Sequence, residues 1–152
     1  MPAQDRQPHG ESDDTMRADP WLIFSSGFRG AAARLRRPNG CSAYYSRASS
    51  PPAVAEFERM LFSSIDVPVY FWGDLDYSGM AILASLRSIF PCAQAWKPGY
   101  EPMLLRLKVG DGHSPVESGK ERQRAIEATG CTYADEELLP SLRATGKFLD
   151  QE

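Results

Sequence analysis

The sequence predicts an α/β fold, a parallel sheet with helices on both faces. Two observations carry this. Short apolar runs rich in β-branched and aromatic residues recur at residues 21–25, 41–45, 67–72 and 92–96, and amphipathic stretches closed by Pro or Gly lie between them. The intervals also leave room for crossovers of a dozen or more residues, the connection that makes neighbouring strands parallel. About four strands are therefore expected, with the run at 67–72 central, because its unbroken apolar character suits a strand buried on both faces.

Each element has a local reason. Residues 1–20 are polar and acidic and read as a disordered lead-in. The domain proper, 21–152, opens with the strand at 21–25 and a glycine-bearing turn at 26–30. A helix at 31–37 follows, stopped by Pro38-Asn39-Gly40. After the strand at 41–45, Pro51 and Pro52 sit in the first turn of a helix reaching about Ser64, with Val54, Phe57, Met60 and Leu61 on its apolar face. The strand at 67–72 ends at Gly73. Met80, Ile82, Leu83, Leu86, Ile89 and Phe90 then recur at helical spacing up to Pro91. A strand at 92–96, a polar turn at 97–100 and a helix at 101–108 come next, followed by a Gly-, Ser- and Pro-rich loop at 109–119. Helices are expected at 117–128 and at 134–144, the latter bent or restarted at Pro140, and an extended tail at 147–152.

Composition narrows the function classes. The 152 residues include 42% hydrophobic residues, enough for one domain with a real core. The net charge of −3 disfavours a freestanding module that grips nucleic acid through a broadly basic surface. Cys41, Cys92 and Cys131 are odd in number and widely spaced, so they read as buried thiols of a cytoplasmic protein rather than a disulfide framework. No run approaches the roughly 20 apolar residues of a membrane span. His9 and His113 are isolated in loops.

The chemistry concentrates at the end of the central run. There Gly73 is followed by Asp74 and Asp76, one residue apart, at the carboxyl edge of the sheet, where open α/β folds bind ligands. Two carboxylates this close repel each other, and a cation relieves the conflict. Hard oxygen donors suit Mg²⁺ or Mn²⁺. An equally physical alternative is that Asp76 or Ser78 simply caps the helix that begins here. Tyr77 reads as turn packing. Response-regulator phosphotransfer also uses strand-end acids, but its separate phosphoacceptor and lysine strands are not identifiable.

The stretch YFWGDLDYSGMAILASLRSIF, residues 70–90, with Pro91 after it, resembles the Toprim core of the JetD subunit of the Wadjet plasmid-defence system. More distantly it is similar to the A subunit of topoisomerase VI. The resemblance implies a Toprim-like sheet and a metal-dependent DNA-cleaving domain, with Asp74 and Asp76 as the catalytic, metal-binding acids and Mg²⁺ or Mn²⁺ as cofactor. It offers Glu152, in the closing Asp-Gln-Glu, as a third metal ligand. It also implies DNA as a partner, with SMC-like and kleisin-like subunits of a defence complex. Arg34, Arg36 and Arg37, with Arg87 and Lys97, are the candidate contacts to the DNA backbone. Toprim domains carry a glutamate at the end of their first strand that has no counterpart here, and JetD proteins have a large amino-terminal region before this domain. The sequence thus reads as shortened at both ends and weak or inactive in cleavage on its own. A non-catalytic DNA- or protein-binding remnant of the same domain is the competing expectation.

Overall fold

The computed structural model describes residues 51–62 and 68–151. The strands expected at 21–25 and 41–45, the helix at 31–37, the lead-in, Arg34, Arg36, Arg37, Cys41 and Glu152 lie outside the described residues. Within them the architecture is mixed α/β. Helix α1 (Pro51–Phe62) begins at the proline pair, as its sequence dictates. Strand β1 (Tyr70–Phe71), helix α2 (Tyr77–Arg87) and strand β2 (Gln94–Ala95) form one βαβ unit. The two strands pair in parallel, Tyr70 opposite Gln94 and Phe71 opposite Ala95. These are the cores of two anticipated strands, shorter than the apolar runs that announced them.

Besides its length, the strand expected at 67–72 differs in its burial. Tyr70 is 62% exposed and Trp72 41%, so among the described residues β1 is covered on one face only. Phe71 and Ala95 turn inward to the core, whereas Tyr70, Trp72 and Trp96 share the outer face, where the two indoles meet edge-on at 5.6 Å.

Helix α3 (Lys97–Lys108) starts a turn earlier than the sequence suggests. Residues 97–100 look like a turn because they hold Pro98 and Gly99, yet the first turn of a helix needs no amide donors, and Pro98 costs nothing there. The helix expected at 117–128 is absent. Single turns take its place, with Lys120 N–H bonded to the Pro115 carbonyl at 2.7 Å. Gly119 adopts φ 64°, a left-handed conformation that breaks a right-handed helix. The last helical stretch does restart at Pro140. A π-helical turn (Ala134–Leu138) passes into α4 (Leu139–Thr145), with Pro140 in the first turn of α4. Its missing amide removes a rung of the i to i−4 ladder just where the winding changes.

The tail is extended, as anticipated, and its pairing matters to the site. Leu149 exchanges both backbone hydrogen bonds with Leu75, at 2.8 and 3.1 Å, and Phe148 does the same with His113, at 2.8 and 2.9 Å. The core runs from Leu75, Met80 and Leu83 through Tyr100 and Leu107 to Leu138, Leu142 and Phe148. It therefore ties α2, α3, α4 and the tail together around the turn that follows β1. A thiol corrects one expectation: Cys131 is buried, its sulfur accepting from Ala95 N–H at 3.4 Å, but Cys92 is exposed. Among the described residues no helix is long and apolar enough to cross a membrane.

Candidate functional site

The acidic turn is built from its backbone outward. Gly73 donates its N–H to the hydroxyl of Tyr100, at 3.1 Å, and Leu75 is fully buried, so the residues flanking Asp74 are pinned to the core on both sides. Burial raises the Tyr100 phenol above its ordinary range, against the lowering effect of the Gly73 bond and with help from nearby Asp76 and Asp74. The phenol stays protonated. Gly79 allows the tight geometry: a Cβ there would lie 2.2 Å from the Asp74 carbonyl oxygen. Only glycine lets the first turn of α2 approach that carbonyl.

The two acids then play different parts. Asp76 is the N-cap of α2, with extended backbone (φ −150°) and Oδ1 accepting from Gly79 N–H at 2.7 Å. Its side chain is 2% exposed, while that of Asp74 is 43% exposed. The capping alternative thus describes one oxygen of Asp76. Its other oxygen, Oδ2, accepts from Gln123 Nε2 at 2.9 Å, and Gln123 Oε1 accepts from Ser78 N–H at 3.0 Å. Gln123 therefore locks Asp76 to the start of α2 from 47 residues away.

The cation that the acids require is supplied by the chain. Lys120 Nζ lies 3.0 Å from Asp74 Oδ2, 2.8 Å from Asp76 Oδ2 and 2.5 Å from Asp150 Oδ1. Burial acts to lower the Lys120 pKa, but its hydrogen bonds to Asp150, Asp76 and Asp74 outweigh it and hold the ammonium above the ordinary lysine range. Asp74 Oδ1 is also engaged, accepting from Gln151 N–H at 2.9 Å. Three carboxylates from two segments, the turn after β1 and the tail, thus point one oxygen each at a single cationic point. With one ammonium against three carboxylates, the cluster keeps an excess of negative charge.

A divalent ion fits this donor set in kind. The ligands are hard oxygens, and a resident cation already stands where their lone pairs converge. They are not at coordination spacing, however. Among the described residues no three His, Cys, Asp or Glu side chains are grouped closely enough to hold a metal ion as they stand, with Lys120 Nζ among the three carboxylates.

The remaining sequence candidates scatter. Arg87 is at the far end of α2 from Asp76, about 16 Å along the axis at ~1.5 Å per residue, and donates to the Ala93 carbonyl. Lys97 opens α3, ion-paired with Glu101 at 3.5 Å, its ammonium 5.6 Å from the Tyr133 ring centroid. Tyr77 packs edge-on against Phe148, as turn packing should. His113 is held by the tail rather than by the acids. Lys120, Gln123 and Asp150 escaped the sequence reading. Asp150 had one usable signal, its place in the closing Asp-Gln-Glu; Lys120 and Gln123 had none, being remote polar residues in a segment that looked helical.

A family model described as Wadjet protein JetD, C-terminal, matches residues 52–145. No curated protein and no solved structure matches the chain. The matched segment includes Asp74, Asp76, Lys120 and Gln123 and exceeds half of the 152 residues, so the chain belongs to the JetD C-terminal family of Wadjet proteins.

Proposed function

We propose that this Wadjet defence domain is a metal-dependent DNA-cleaving unit of the cytoplasm, with Asp74, Asp76 and Asp150 holding Mg²⁺ or Mn²⁺. The observation that carries the reading is the convergence of three carboxylates, from the turn after β1 and from the tail, on one cationic point. Isolated structural ion pairs do not need three acids for one ammonium. When bound, the ion would neutralise a phosphodiester oxygen and lower the pKa of an attacking water. The chain's own residues do the positioning. Gln123 and the α2 amide fix Asp76, Tyr100 fixes the turn at Gly73, and the tail delivers Asp150 through its pairing with Leu75.

The same proposal places β1 and β2 in the middle of a Toprim-like parallel sheet of about four strands. The exposed aromatic face of Tyr70, Trp72 and Trp96 supports this, since such a surface suits packing under further elements. DNA is the partner, bound through backbone contacts from Lys97, Arg34, Arg36 and Arg37, within an assembly with SMC-like and kleisin-like subunits. Asp150 takes the third-ligand role in place of Glu152, and Arg87 stays with the Ala93 carbonyl. The test is incubation with supercoiled plasmid and Mn²⁺ beside an Asp74→Ala control. Nicking that the control loses supports the reading, and no Mn²⁺ binding with no nicking refutes it.

One observation favours a second reading, a non-catalytic binding remnant. The acids are already partnered by Lys120, so the fold is satisfied without metal. Plasmid binding with no cleavage in Mn²⁺ would select it.

A further inference from the structure

The acidic cluster raises a question of occupancy. Asp76 Oδ1 is taken by Gly79 N–H, and Asp74 Oδ1 by Gln151 N–H. The oxygens that converge on one point are those that Lys120 already holds, Asp74 Oδ2, Asp76 Oδ2 and Asp150 Oδ1, with Gln123 Nε2 sharing Asp76 Oδ2. An ammonium and a divalent ion cannot occupy the same point. Lys120 also has room to leave, because it stands in a segment of turns whose neighbours Glu121 and Arg122 are exposed.

We propose that Lys120 is the resident counter-ion of the acidic turn, a positioning residue whose ammonium gathers Asp74, Asp76 and Asp150 and is displaced when a divalent cation binds. The inference rests on the metal-binding reading above. Without Lys120 the three carboxylates would repel one another and splay, at least the two that are more than a third exposed. With it they are held together in the metal-free fold, and that hold is what an incoming ion must displace, so competition outweighs any gain from preassembly. Charge supports an exchange in which the ammonium stays nearby: three carboxylates are balanced by one divalent ion and one lysine together.

The test measures Mn²⁺ affinity calorimetrically on the full chain for wild type, Lys120→Met and Asp74→Asn. Displacement predicts that Lys120→Met, which removes the competitor and keeps most of the side-chain bulk, binds Mn²⁺ about ten-fold more tightly, while Asp74→Asn binds more weakly. If Lys120 is only a strut, Lys120→Met binds equally or more weakly, which overturns the exchange and leaves the metal site standing. No binding by wild type or Lys120→Met overturns both readings. A second measurement uses wild type alone, so folding of the variant does not decide the matter. Reductive methylation of Lys120 should accelerate in saturating Mg²⁺ as the ammonium is released, and an unchanged rate with Mg²⁺ bound refutes displacement.

Discussion

Asp74 and Asp76 look alike in sequence, and replacing each by Ala should separate them. Asp76→Ala removes the N-cap of α2, worth about 1 kcal/mol. It also strips a charged acceptor from Gln123 Nε2 and Lys120 Nζ inside a site where Asp76 is 1% exposed, which adds roughly 2 kcal/mol. Lys120 keeps Asp74 and Asp150, so the larger penalty of a stranded buried charge does not apply. The expected loss is therefore about 3 kcal/mol, and at ~2–4 °C per kcal/mol for a chain of this size the melting temperature should fall by about 10 °C. Asp74→Ala gives up an ion pair and one amide bond at a half-exposed position and should cost no more than about 1 kcal/mol.

Chemical denaturation in EDTA reads both losses without metal linkage. Asp76→Ser supplies the internal control, because a serine hydroxyl caps α2 but does not reach Lys120 or Gln123 as a carboxylate does. It should recover about 1 kcal/mol of the Asp76→Ala loss. Equal losses for Asp74→Ala and Asp76→Ala, or no recovery with Asp76→Ser, would refute the division of labour.

Three further outcomes are expected. Gly79→Ala pushes a Cβ to 2.2 Å from the Asp74 carbonyl oxygen and should cost about 2 kcal/mol while disturbing Mn²⁺ binding, as read by denaturation and calorimetry on one preparation. Stability should decline above about pH 10, because folded Tyr100 keeps a proton that the unfolded chain releases, and Lys120, also raised, adds to the same slope; Tyr100→Phe should flatten part of it. Asp150→Ala should leave stability within about 1 kcal/mol of wild type, since its side chain is 38% exposed, yet weaken Mn²⁺ binding measurably in titration.

What was legible in the sequence was local. The proline pair of α1, the β1–α2–β2 unit with Asp74 and Asp76 in its turn, and the restart at Pro140 each follow from neighbouring residues, and each is present. Residues 97–100 failed because Pro and Gly signal both a turn and a helix's first turn. The helix at 117–128 failed because Gly119 and long-range anchoring override a helical composition: Lys120 is drawn to Asp74 across 46 residues and to Asp150 across 30. Such pairs leave no periodic trace. Two acids one residue apart ask for a cation, and a lysine 46 residues from Asp74 that supplies a positive charge leaves no mark in the sequence around them.

The site's assembly from separate segments leads to a last prediction. Asp76 is fixed by α2 and Gln123, but Asp150 reaches the cluster only because the tail pairs with Leu75 and His113. Two kinds of bond hold that tail. Leu149 N–H bonds to the Leu75 carbonyl, a backbone rung no side-chain change removes, whereas Gln151 N–H bonds to the Asp74 carboxylate at 2.9 Å. In Asp74→Ala the amide of Gln151 should exchange with solvent deuterium much faster, at a position already exposed, while those of Phe148 and Leu149 keep their protection. Loss of protection at all three would show that the carboxylate, and not the backbone pairing, holds the tail. In that event Asp150 would depend on Asp74 for its place, and the two acids would have to be counted as one unit in any measurement of metal affinity.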